Sequence, residues 1–166
     1  KQPSPQDIIT AINEPLAALK TSSVTPPIDL PEIIQRLIAL PKMVDLEKLA
    51  AMRILDTIFA PSFLASPHLL PLIASKQANL SIEYGNAVGS IYGYTHYGLV
   101  LCAALEDFDT GYQFGQLAKR LLKEWNAPRF TAYTVGMLGS YVDHWKEHLR
   151  DTLPGLQEAY RVGLEN

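Results

Sequence analysis

The sequence predicts an all-α protein. Its antiparallel helix pairs stack as a right-handed superhelix of about seven or eight helices, in the manner of tetratricopeptide arrays. Three observations predict it. No segment alternates apolar and polar residues with period two, whereas apolar residues recur at helical spacing along the chain. Small residues recur at i, i+4 and i+8 (Gly85, Gly89, Gly93) and at i, i+4 and i+7 (Gly111, Gly115, Ala118), which on a helix lines one face for a close neighbour. Because glycine costs a helix roughly 1 kcal/mol against alanine, such stripes ask for a packing reason. Finally, Tyr97-Gly98-Leu99-Val100 slides onto Val135-Gly136-Met137-Leu138 at an offset of 38 residues. At that offset Gln116-Leu117-Ala118 falls over Pro154-Gly155-Leu156, and Leu121-Leu122 over Ala159-Tyr160. Helical-hairpin arrays use periods near this length.

The first helix carries Ile8, Ile9, Ile12, Leu16 and Leu19 at helical spacing, starts around Ser4, Pro5 and Asp7, and is ended or kinked by Pro15. Residues 21–28, TSSVTPPI, read as a linker, so residues 1–28 are expected to stand apart from a single repeat domain over 29–166. Asp29-Leu30-Pro31-Glu32 is a helix start, with an early proline and an acid three residues after the cap. Ile33, Ile34, Leu37 and Ile38 are its buried face, and Pro41 ends it. Asp45 caps the next helix, which runs to about Phe59 with Leu46, Leu49, Ala50, Arg53 and Ile54 on one side and Pro61 as its stop. Ser66-Pro67 opens a helix with Leu69, Leu70, Leu72, Ile73 and Leu80 apolar.

A central helix then runs from about Asn86 to Leu105. Tyr84 to Leu105 contains no Asp, Glu, Lys or Arg, long enough to span a bilayer, yet it holds Asn86, Ser90, Thr95 and His96 between acidic flanks with no basic anchor. A helix buried on most sides is the better reading. Glu106 to Thr110 turns the chain into an amphipathic helix, Gly111 to Glu124. Asn126-Ala127-Pro128 restarts it into a helix with Tyr133, Met137, Tyr141 and Trp145 spaced by four, a core stripe. Asp151, Thr152 and Pro154 begin the last helix, which reaches Gly163.

The chain of 166 residues is 48% hydrophobic and 19% charged, values of a globular domain, with a net charge of −3. Its basic residues are scattered, which argues against nucleic acid or an anionic membrane as partner. The lone Cys102 excludes an internal disulfide and sits among apolar residues as a buried thiol; a reducing cytoplasm is the natural compartment. There is no signal-peptide pattern, and the missing initial methionine is what a piece cut from a longer chain would show.

One chemical motif stands out. His144-Trp145-Lys146-Glu147-His148 spells HxxEH, in which two histidines at i and i+4 could hold zinc and Glu147 activate water. A catalytic site needs a third protein ligand, usually a distant acid, and only 18 residues follow His148; the helix also ends here, so the histidines read instead as a polar helix end. His96 reads as a hydrogen-bonded interior histidine. No phosphate loop, GxSxG, CxxC or kinase catalytic loop occurs. No catalytic, cofactor-binding or metal residue is therefore assigned, and no cofactor is expected.

Four segments carry a family resemblance: Asn79-Leu80-Ser81-Ile82-Glu83-Tyr84-Gly85-Asn86, Tyr97 to Cys102, Asp109 to Ala118 (DTGYQFGQLA) and His144 to Leu149 (HWKEHL). Together with Ile33 to Leu55, which holds LIALPKMVDLEKLAAMRIL, they resemble the tetratricopeptide-like helical region of very large multidomain bacterial signalling proteins, common in cyanobacteria. In these a serine/threonine kinase domain and an AAA-type ATPase precede that region, and a GAF domain and a sensor histidine kinase follow it. The resemblance spans residues 28–166 and implies a parent kinase that binds ATP; none of the kinase motifs lies in this chain. The resulting expectation is a non-enzymatic helical-repeat module, relaying signals between neighbouring domains of its parent or binding a protein partner. The rival readings are a zinc-dependent hydrolase built on HxxEH, and a small-ligand domain with Tyr92, Tyr94, Tyr97, Tyr133 and Tyr141 as pocket walls.

Overall fold

In the computed structural model, residues 3–20 and 29–165 are described. The 21–28 linker and the side chain of Leu19 lie outside the described residues. Eight α-helices follow in order: α1 (Pro5–Lys20), α2 (Leu30–Ile38), α3 (Leu46–Ala65), α4 (Leu70–Tyr84), α5 (Ser90–Leu105), α6 (Phe108–Glu124), α7 (Thr131–Tyr141) and α8 (Leu149–Glu165). Three single 3-10 turns, Pro67–Leu69, Pro128–Phe130 and Asp143–Trp145, lead into or out of them. Among the described residues there is no strand. An isolated parallel bridge joins Lys42 and Asn86.

The protein is all-α and its helices pack in pairs. α5 is the axis: every residue from Gly93 to Cys102 is buried. α4 covers one side of it, α6 another and α7 a third. α1 closes over α4, α2 over α6, and α8 pairs with α7. The pairs α5–α6 and α7–α8 repeat with their helices starting 41 residues apart, three more than the offset of the residue match. That difference moves the register by most of a turn. Among the described residues no helix is long and apolar enough to cross a membrane.

Local chemistry explains the helix ends. Asp29 Oδ1 accepts from the Glu32 amide, and Asp45 Oδ1 from the amides of Glu47 and Lys48, so both acids cap as their positions predict. Asp107 caps α6 through the Thr110 amide, so the helix starts at Phe108, three residues before the expected start at Gly111. Glu106 adopts the left-handed conformation (φ 54°) that turns α5 into α6.

Four expectations are corrected. Pro15 does not end α1: the helix runs on to Lys20. Ile12 in its middle is fully buried, and its carbonyl accepts from the Tyr97 hydroxyl at 2.5 Å. Packing against α4 overrides the lost backbone donor, and the N-terminal helix is part of the core. Pro61 does not stop α3 either; it lies inside the helix on an exposed position, where water can take up the carbonyl left without a donor. The buried side of α3 is Met52 and Phe59 with Leu49 and Leu55, while Leu46 and Ile54 are exposed. Third, Gly85, Gly89 and Gly93 do not share a helix. Gly85 ends α4 at φ 95°, a conformation suited to glycine, and Gly89 precedes α5, which begins at Ser90.

The second glycine stripe does lie on α6, and it meets α5 at Gly98. A Cβ on Gly98 would stand 2.7 Å from the Gly111 carbonyl oxygen, and one on Gly115 would stand 3.0 Å from Leu138 of α7. The fourth correction concerns the aromatic stripe. α7 ends at Tyr141, and Trp145 sits in a 3-10 turn; both rings are about half exposed, so they are not core.

Candidate functional site

A cleft of about 530 Å³ opens between α3, the 87–89 turn and the α6–α7 connection. A second hollow of about 400 Å³ adjoins it along Leu49, Ala87, Val88 and Trp125. Met52 and Ala87 of a small apolar cluster line the cleft, and Met43 of the same cluster lines the hollow. Asp56 comes from the inner side of α3, one turn after Met52 and one before Phe59. Its Oδ1 accepts from Gln77 Nε2 at 2.5 Å, while Oδ2 lies beside Gly89 at the cleft floor, where a Cβ on residue 89 would stand 2.9 Å from it. Burial raises the carboxyl to about 7, and only partly does the Gln77 bond pull it back. No cationic group is paired with it among the described residues.

From Asp56 a hydrogen-bond chain runs inward through three more helices. Gln77 of α4 turns its Oε1 to His96 Nδ1 at 2.9 Å, and His96 Nε2 meets the Tyr133 hydroxyl of α7 at 2.9 Å. His96 is almost wholly buried, with its ring stacked on Phe59 at 3.5 Å, and burial holds it neutral by lowering it to about 3. Since the amide oxygen of Gln77 can only accept, His96 carries its proton on Nδ1. Nε2 therefore accepts, and the Tyr133 hydroxyl donates. The chain is directed: Tyr133 to His96 to Gln77 to Asp56. The interior histidine expected from the sequence is thus a relay link, and Asp56 and Gln77 are the residues that sequence reasoning missed. Their signal was available, since each is a polar residue set in the apolar stripe of its own helix.

The HxxEH segment is a fastening. His144 belongs to the 3-10 turn, His148 to the entry of α8, and they share no helix. Glu147 accepts from the Tyr112 hydroxyl at 2.7 Å, Lys119 reaches the buried Asp143 at 2.8 Å, Lys146 pairs with Asp109, and Trp145 stacks on Phe108 at 4.3 Å. The α7–α8 connection is thereby clasped onto α6. Among the described residues no three His, Cys, Asp or Glu side chains stand close enough to share a metal ion.

The five tyrosines do not form one pocket. Tyr94 and Tyr97 are fully buried with their hydroxyls spent on Asn86 Oδ1 and the Ile12 carbonyl. Tyr92 packs on Phe130 and Tyr133. Tyr133 and Tyr141 line a smaller groove of about 170 Å³ with Phe59, Phe63 and Met137. Cys102 is buried where the sequence places it, and burial pushes its thiol up to about 11.

The fold and these sites define an all-α, helix-paired protein with a cleft and a buried polar chain. No protein-family model and no solved structure matches the chain. The chain is 26% identical over 116 residues to hybrid signal transduction histidine kinase G of Dictyostelium discoideum, which covers 69% of this chain and 3% of that protein.

Proposed function

We propose that this chain is a non-catalytic interaction and signal-relay module of a large signalling kinase. The observation that carries the proposal is the similarity just described: most of this chain corresponds to a small segment of a very long signalling histidine kinase. Kinase activity and ATP binding would then reside elsewhere in such a chain, in a serine/threonine kinase domain, a histidine kinase module or both. The pairs α5–α6 and α7–α8 are read as consecutive units of a tetratricopeptide-like array over residues 29–166, which contacts neighbouring domains or a protein partner in the cytoplasm. The scattered basic residues speak against nucleic acid as partner. The spent side chains of the HxxEH segment speak against zinc hydrolysis, since Glu147 holds Tyr112 and the two histidines lie on separate elements.

Phosphotransfer, measured twice, tests this. The isolated 166-residue chain with ATP and magnesium is expected to label neither itself nor a generic protein substrate. In a signalling histidine kinase that contains these residues, replacing them by a flexible linker of equal length is expected to change autophosphorylation severalfold. Labelling by the isolated chain, or a kinase indifferent to the replacement, overturns the proposal.

A further inference from the structure

The cleft combines three kinds of group. Its acceptor is Asp56 Oδ2, which faces Gly89 and has no hydrogen-bond partner among the described residues. Its cations are Arg53, one turn before Asp56 on α3, and Arg129, from the 3-10 turn before α7. Both arginines are exposed, and neither is ion-paired among the described residues; Arg129 instead lies over the Phe130 ring, 5.0 Å from its centroid. Its flat apolar surface is the half-buried Trp125. A chain of net charge −3 therefore carries a local excess of positive charge at this opening. The volume falls within the range of small-molecule sites.

We infer that this cleft binds a nucleotide-like ligand: a planar base whose N–H edge donates to Asp56, lying against Trp125, with an anionic phosphate held by Arg53 and Arg129. Asp56 Oδ2 and the two exposed arginines are the groups such a ligand would engage. An arginine pair recognises phosphate through charge-assisted forked hydrogen bonds. An aromatic face gives stacking to any base. A carboxylate acceptor selects a base edge rich in donors, as guanine N1–H and N2–H₂ are, over adenine, whose ring N1 is an acceptor and would face the carboxylate lone pairs. Gly89 keeps the floor open, because a side chain there would press on both Asp56 and Met52. The inference concerns the cleft alone and stands independently of the signalling proposal.

The test is titration of the 166-residue chain, with Trp145→Phe so that Trp125 is the sole indole, against guanosine 5′-monophosphate. Its controls are adenosine 5′-monophosphate, guanosine and inorganic phosphate. The guanine nucleotide is expected to quench Trp125 and to bind at least tenfold more tightly than each control. Replacing both Arg53→Ala and Arg129→Ala, which are exposed and leave the core intact, is expected to weaken it at least tenfold. Asp56→Asn, which puts a donor where an acceptor stood, is expected to abolish the preference for guanine over adenine. Three results would each overturn the assignment: no saturation at millimolar nucleotide, phosphate binding as tight as the nucleotide, or affinity unchanged in the double arginine variant.

Discussion

Asp56 and His96 share one hydrogen-bond chain, yet their ionisations pull stability in opposite directions with pH. Asp56 titrates at about 7 in the fold, above its ordinary 3.8. The folded state therefore holds the proton longer than the unfolded one, and stability falls as pH rises from about 4 to 7. His96 is lowered from 6.5 to about 3, so its contribution is complete above pH 6.5 and is lost as pH falls toward 3. Between about pH 4 and 6.5 the two slopes, each up to about 1.4 kcal/mol per pH unit, offset each other. Urea unfolding across this window is expected to give a nearly flat stability profile for the natural chain. Asp56→Asn, whose amide oxygen still accepts from Gln77, should unmask a profile that rises with pH and should be more stable at pH 8 by on the order of 2–4 kcal/mol. His96→Gln should be less stable throughout and show a profile that falls with pH. A flat profile in both variants would show that neither group titrates as its burial requires.

At the scale of the elements, glycines with the same helical setting have opposite roles. Gly98 of α5 and Gly111 of α6 let the two backbones touch: a Cβ on Gly111 would meet the Cys102 thiol and lie 2.8 Å from the Gly98 carbonyl oxygen. Gly98→Ala is expected to cost about 1–3 kcal/mol or more, since backbone cannot yield as a side chain can. Gly136 in α7 faces only Ala159 Cβ at 3.7 Å, ordinary contact. Gly136→Ala should leave packing intact and stabilise by about 0.5–1 kcal/mol through helix propensity. Thermal melts of the pair check the contrast, and equal shifts would contradict the close crossing. These two helices also show what the sequence could reveal. The all-α class, the caps at Asp29 and Asp45, the buried axis and the α6 stripe were legible because each rests on local spacing. The helix running through Pro15 was not, because packing against α4 overrules the proline, nor was the one through Pro61, whose exposed position leaves the freed carbonyl to water. Nor was the polar chain, because Asp56, Gln77, His96 and Tyr133 come from four helices and only the tertiary fold brings them together.

Considered as a whole, the molecule is organised around α5, and its first helix packs into the same core. Removing residues 1–28 leaves Tyr97 without its acceptor and uncovers the α4 surface that Ile12 fills. The truncated chain is expected to melt at least several degrees lower than the full one; an unchanged midpoint would show that α1 contributes nothing. Cutting at Gly85 is expected to be worse, because α5 then loses α4 along its length. The piece 86–166 should aggregate or melt without cooperativity, and a sharp monomeric melt matching the full chain would mean two independent halves.

The Lys42–Asn86 bridge ties the α2–α3 connection to the α4–α5 connection. The Asn86 amide donates to the Pro41 carbonyl and the Met43 amide to the Asn86 carbonyl, both at 2.8 Å, while the Asn86 side chain spans from the Leu37 carbonyl to the Tyr94 hydroxyl. Asn86 and Tyr94 are buried. Neither connection can open without freeing the other and disturbing α5. The amides of Met43 and Asn86 lie outside any helix, where surface loops ordinarily trade their hydrogens with deuterated water within moments. Here they should keep their hydrogens about as long as the centre of α5, released only when the entire molecule unfolds.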